Sequence, residues 1–165
     1  MGIHLDNFSD TGMAGGGGGS TFSEMGTGTQ VLVGFRVFTG KWVDKIVPIF
    51  SEIAVPGWGG RDFPSPGFGG QGGNPQDILP PGNDYAVVQL SIRSDWYVDG
   101  GSVTWRKFVG GVPGADFQTM TFGGTGGRWT STLQLQDGWI AVGIYGRAGA
   151  FLDAIGLKGA RPVVS

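Results

Sequence analysis

The chain has no cysteine and one histidine, His4. Disulfide frameworks, Cys-ligated zinc, iron–sulfur clusters and thiol nucleophiles are therefore excluded together. A catalytic triad or multi-histidine metal site would have to be built on His4, which is expected to be a solvated N-terminal residue. Glutamate is nearly absent too, occurring only as Glu24 and Glu52. The 11 basic residues are matched by 13 acidic ones and form no run, so the positive footprint of a nucleic-acid binder is missing. No apolar stretch approaches the roughly 18 to 20 residues of a membrane span, and no basic segment precedes an apolar one as in a signal peptide. Neither membrane insertion nor conventional secretion is expected, and the expectation is cytoplasmic synthesis. Asp6 occupies the position where an N-myristoylation signature starting at Met1-Gly2 needs Ser or Thr, so that motif fails as well.

Glycine is the abundant residue. With 35 Gly and 9 Pro in a chain of 165 residues the composition borders on low complexity, yet it includes 11 Phe, 6 Trp and 3 Tyr, and the net charge is only −2. A disordered chain is poor in aromatics and strongly charged, so this composition fits a single domain with a core. The longest interval free of glycine and proline runs from Asn83 to Asp99, which leaves no room for a long helix. Val88, Leu90 and Ile92 alternate with Gln89, Ser91 and Arg93, the period-two pattern of a half-buried strand. Runs at Val31 to Phe38 and Trp139 to Tyr145 have the same texture, so the chain reads as all-β.

These strands belong to a repeat. Glycine clusters begin at Gly15, Gly69 and Gly123, evenly spaced along the chain. Downstream, an aromatic, an aliphatic and an aspartate follow one another at Trp42-Val43-Asp44, Tyr97-Val98-Asp99 and Phe151-Leu152-Asp153, where the aspartates keep the same spacing to within one position. Two features in one register define repeats over 15–53, 69–111 and 123–159. Residues 1–14 read as an N-terminal arm, either frayed or docked on a neighbouring subunit, where it would support a homo-oligomer or hold an assembly partner. Residues 54–68 read as a Gly/Pro-rich loop within a longer connection, 54–82, that is dense in both residues. Trp58, Phe63 and Phe68 are expected to tether it to the body.

A loop that presents backbone N–H groups, an aromatic ring and a carboxylate offers what a sugar uses: acceptors for its hydroxyls, donors for its ring oxygens and a face for its C–H groups. A glycine-only loop beside it approaches closely because no Cβ intervenes. Aspartate has a plainer role in turns, bonding a backbone N–H two residues on, and a single copy would be read that way. Three copies in step with three glycine clusters favour binding.

The Gly-Gly-x-Gly-Gly opening and Gly-x-x-x-Asp ending of the repeats resemble the jacalin-related lectins, and three complete sets resemble their griffithsin-type members. The likeness extends from Gly15 to Gly159. It is most specific at Val142-Gly-Ile-Tyr-Gly-Arg-Ala-Gly-Ala-Phe-Leu-Asp-Ala-Ile-Gly-Leu157 and at Gly18-Gly-Ser-Thr-Phe-Ser-Glu24. It implies a β-prism of three four-stranded Greek-key sheets with pseudo-threefold symmetry, carrying calcium-independent sites for mannose-type glycans and no cofactor or metal. It further implies that each aspartate loop pairs with the glycine loop of another repeat. One site would then use Gly149, Ala150, Phe151 and Asp153 with Gly19; a second Gly40, Lys41, Trp42 and Asp44 with Gly73; a third Trp96, Tyr97 and Asp99 with Gly127. In the third, Asp95 replaces the loop glycine, a poor exchange if that position needs positive φ.

A structural or adhesion module of a virion or cell-surface assembly, using the prism as a rigid block, is the alternative. An enzyme is disfavoured: one aspartate repeated three times is unlike an asymmetric acid/base pair, and no glycine cluster continues into the Lys-Ser/Thr of a phosphate-binding loop.

Overall fold

The computed structural model describes residues 2–54, 58 and 62–165, with the backbone alone over 62–64. In chain order its strands are β1 (Ile3–Asp10), β2 (Ala14–Gly15), β3 (Ser20–Met25), β4 (Gln30–Thr39), β5 (Val43–Glu52), β6 (Asp62–Pro64) and β7 (Phe68–Gly69). There follow β8 (Asn74–Ile78), β9 (Tyr85–Ser94), β10 (Val98–Val109), β11 (Val112–Gly123), β12 (Trp129–Gln134), β13 (Ile140–Ala148) and β14 (Leu152–Val164). Among the described residues there is no α-helix.

Three antiparallel sheets have the orders β1-β14-β13-β3, β6-β5-β4-β8 and β11-β10-β9-β12, while the two-residue β2 and β7 add to β14 and β5. This is a β-prism. Each sheet centres on one hairpin, β4/β5, β9/β10 or β13/β14, whose turn leads into an aspartate. The outer strand beside it, β8, β12 or β3, comes from just after a glycine cluster of a different repeat. The second and third sheets are continuous segments of chain, whereas the first joins both chain ends. The sequence repeats therefore cut across the sheets.

Two expectations need correction. Residues 1–14 are not an arm: β1 pairs with β14 from Ile3↔Val164 to Asp10↔Lys158 and forms an edge of the first sheet. Ile3 and Leu5 pack against core residues, and His4 between them is exposed, which is strand alternation. What this segment offers a neighbour is a sheet edge. Residues 54–68 are not only a loop, because β6 pairs with β5 through Ile49↔Pro64 to Ser51↔Asp62. Trp58 is buried edge-on against Phe108, and Phe68 stacks on Phe22, so both tether the segment. The Phe63 side chain lies outside the described residues.

The inward faces of all three sheets meet in one core that includes Val37, Ile46, Ile92, Val103, Ile144 and Ile155. A second cluster, with Val31, Val33, Trp58, Phe108 and Ile140, fills the end where β4, β9 and β13 begin. Each fully buried aliphatic or aromatic side chain contributes about 1.5–3 kcal/mol, enough in sum to order a chain so rich in glycine.

All three central hairpins bulge at a valine. The ladders skip Val33 in β4, Val88 in β9 and Val142 in β13. A bulge leaves a carbonyl outside the ladder, and that acceptor needs a donor. The Val88 carbonyl accepts from Leu135 N–H (3.2 Å) and the Val142 carbonyl from Gly26 N–H (3.0 Å). By register the matching residue in the second sheet is Pro80, which has no N–H. The Trp105 indole Nε1 donates to the Val33 carbonyl instead, at 2.9 Å in the interior. Trp105→Phe keeps an aromatic side chain but orphans that carbonyl and leaves a cavity beside the smaller ring, and is expected to cost at least about 1–3 kcal/mol in chemical denaturation. No loss of stability would show that the carbonyl finds another donor.

Candidate functional site

At the end of the prism where β4, β9 and β13 finish, three tight turns lead to the aspartates. In each, the first N–H donates to the carbonyl two residues on: Gly40 to Trp42 (3.0 Å), Asp95 to Tyr97 (3.0 Å) and Gly149 to Phe151 (2.9 Å). Gly40, Asp95 and Gly149 are all free of positive φ, so Asp95 fits this turn without strain. The penalty expected from a left-handed backbone does not arise.

The glycine clusters pack onto these turns. Gly16, Gly70 and Gly124 donate their N–H to the backbone carbonyls of Asp153, Asp44 and Asp99 at 2.8, 2.8 and 2.9 Å. Gly15 and Gly69 have φ of +135° and +132°, and a Cβ there would lie 2.2 and 2.1 Å from the Asp153 and Asp44 carbonyl oxygens. Glycine is required at both. A Cβ on Gly18, Gly72 or Gly126 would fall 2.6, 2.7 or 2.9 Å from Oδ2 of Asp153, Asp44 or Asp99. The glycine loops thus lie directly over the carboxylates, in the cyclic pairing that the resemblance implies.

The structure brings Gly19 against the Asp153 Oδ1 and the Ala148 carbonyl, with Gly149 alongside. Gly73 and Gly127 sit one step further back, on Phe38-Thr39 and Arg93-Ser94. The residues closest to the carboxylates, Gly18, Gly72 and Gly126, were not singled out from the sequence, although they recur at the spacing of the clusters themselves. The aromatics behave differently from three separate pocket walls. Trp42 lies 5.3 Å from Tyr97 and 4.9 Å from Phe151, and Tyr97 lies 4.8 Å from Phe151, all between ring centroids, so a single cluster joins the three turns. Lys41, Trp96 and Ala150 stay exposed at the rim. Trp96 is 79% exposed, and the Lys41 Nζ lies 5.0 Å from the Trp42 ring centroid.

Asp153 and Asp99 are only 4% and 5% exposed, and Asp44 is half-buried. Burial raises all three carboxyls above the ordinary range. The Asp95 charge pushes Asp99 further up, while Arg93, the Asp95 backbone and Lys41 oppose the rise there, and Arg147 opposes it at Asp153. The Asp99 Oδ1 is buried without a hydrogen-bond partner. Among the described residues, none donates a hydrogen bond to the Asp44 or Asp153 side chain. Those two carboxylates therefore do not cap their own turns; they are acceptors held open. No group of three His, Cys, Asp or Glu among the described residues converges as metal ligands.

A raised native pKa makes the ionised carboxylate unfavourable in the folded chain. Its contribution is most favourable below the ordinary aspartate pKa of about 3.9 and is lost as the pH rises through the native value. Wild type should lose stability relative to Asp153→Asn across that window, as read by melting curves from about pH 3 to 7. Parallel curves would mean that burial does not penalise the charge.

No protein-family model and no curated protein matches the sequence. Solved structures do match. Malaysian banana lectin superposes with a TM-score of 0.68 at 21% identity, covering 95% of this chain and 100% of its own. A mannose-binding jacalin-related lectin from Ananas comosus gives 0.66 at 18%, covering 94% and 99%. Artocarpin, in a complex with mannopentose, gives 0.67 at 18%, covering 93% and 98%. By architecture, closure and extent, the chain has the β-prism fold of the jacalin-related lectins.

Proposed function

We propose that this protein binds carbohydrate, taking mannose-type glycans without calcium at three sites, each an aspartate turn beneath a glycine loop. The observation that carries this reading is the trio of withdrawn carboxylates, each facing backbone bare of side chains, with no described donor to Asp44 or Asp153 and one oxygen of Asp99 unpartnered. Sugar hydroxyls would donate to Asp44, Asp99 and Asp153. Backbone N–H groups at Lys41-Trp42, Trp96-Tyr97 and Ala150-Phe151 would donate to sugar oxygens, and the rim residues would meet the rest of the glycan. The mannose ligands named for two of the structural neighbours supply the sugar class. Individually weak sites on one rigid end would gain avidity on a branched glycan.

Isothermal titration with methyl α-mannoside and with oligomannose, in the presence and absence of EDTA, tests the proposal. The expected result is weak monosaccharide binding, tighter oligomannose binding and no effect of chelation. No heat with either ligand at millimolar concentration would overturn it.

A further inference from the structure

The three sites differ two residues before the turn, where β13, β9 and β4 place Arg147, Arg93 and Phe38. Arg147 reaches the glycine loop above its site, donating from Nε to the Gly18 carbonyl at 2.9 Å and from Nη2 to the Gly19 carbonyl at 2.8 Å. Arg93 does the same in the next site, donating from Nη1 to Gly126 at 2.6 Å and from Nη2 to Gly124 at 2.7 Å. A planar guanidinium suits this task, since its forked donors fix the spacing of two carbonyls at once. Phe38 has no donor, and the Lys45 Nζ lies 5.8 Å from its ring centroid. The loop over Asp44 contains Gly69, Gly70, Gly72 and Gly73, and among the described residues no guanidinium clamps it as Arg93 and Arg147 clamp the other two.

We propose that Arg93 and Arg147 are positioning residues that hold the glycine half of their sites in its binding shape, whereas the Asp44 site must be ordered by its ligand and is the weakest of the three. This rests on the carbohydrate-binding reading. Glycine has the most backbone freedom to lose, so a glycine loop without a clamp carries the largest ordering cost on binding. Pre-organisation lowers that cost, and a roughly three- to tenfold difference in affinity is expected. The clamp also places a cation beside Asp99 and Asp153 that opposes the effect of burial, and none of the described residues does so at Asp44.

The test uses three single-site proteins, each with two of the three aspartates changed to Asn, titrated with methyl α-mannoside. Amide hydrogen exchange of the glycine loops is measured in the same proteins without sugar. The Asp44 protein should bind about three- to tenfold more weakly than the other two, and its loop amides at 70–73 should exchange faster than those at 16–19 and 124–127. Phe38→Arg in that protein should restore slow exchange and tighten binding. Arg147→Met in the Asp153 protein should loosen both, and Arg147→Lys, a point charge without the fork, should not rescue them. Equal affinities with equal exchange, or Arg147→Met without effect on 16–19, would overturn the proposal. If no site binds the sugar, the function fails, and the exchange data alone still decide whether the arginines order the loops.

Discussion

Asp153→Asn is expected to remove sugar binding at its site while leaving the prism folded, with a melting temperature equal to or above that of wild type. A hydrogen bond to an ionised acceptor contributes about 1.5–3 kcal/mol. Asn lacks the charge and turns one acceptor oxygen into a donor, so losing one such bond lowers affinity by at least about tenfold and losing two by roughly a hundredfold or more. Stability moves the other way because the wild-type carboxylate is buried, its pKa is raised, and no described residue donates a hydrogen bond to it. Asp99→Asn should behave alike, since burial and the Asp95 charge raise its carboxyl and one of its oxygens is stranded. Titration and thermal melts of both variants decide the point. Unfolding would return the aspartates to a turn-capping role, and undiminished binding would remove them from the site.

A second large effect is expected inside a single glycine cluster. Gly15→Ala should destabilise by at least about 3 kcal/mol, while Gly17→Ala should stay within about 0.5 kcal/mol of wild type. Gly15 combines a φ of +135° with backbone neighbours at 2.2 and 2.6 Å from a Cβ, so the β2–β14 pairing must part to admit one. Gly17 has nothing within 4 Å and no positive φ. Urea denaturation of the pair separates glycine kept for shape from glycine kept for openness. Equal costs would show that the cluster is uniformly strained, against the geometry. Binding by the Gly17 variant then reports how much room the ligand leaves above the loop.

Much of this was legible because a repeat is a comparison a chain makes with itself. The clusters at Gly15, Gly69 and Gly123 and the aspartates at 44, 99 and 153 mark three corresponding positions in the repeats, and period-two runs identify the central strands. The cyclic pairing of loops came from family resemblance, since spacing alone cannot say which repeat faces which. Other features were hidden for physical reasons. The apolar side of β1 shows only Ile3 and Leu5 before the strand turns polar, so an edge strand resembles a tail. Trp42, Tyr97 and Phe151 were visible as site residues, but their mutual contact exists only once three distant turns converge. Arg93 and Arg147 follow the repeat, yet Phe38 breaks the series, and nothing in composition says that a guanidinium there reaches a loop across the sheet. The role of Trp105 follows from proline's missing N–H at position 80, an effect of register that appears only after the strands are paired.

The split first sheet bears on the order in which the molecule assembles. Asp44 meets Gly72, and Asp99 meets Gly126, each in the glycine cluster that comes next along the chain, so each pair closes within one continuous sheet. Asp153 has no cluster after it and must reach back to Gly19, near the opposite end of the chain, because its sheet joins β13 and β14 to β1 and β3. Closing the longer loop costs more chain entropy, and contacts of long sequence separation form late. The Asp44 and Asp99 turns can therefore meet their glycine loops by local closure, whereas the Asp153 turn meets its loop only when the two ends of the chain come together, the step that also brings Phe151 onto Trp42 and Tyr97.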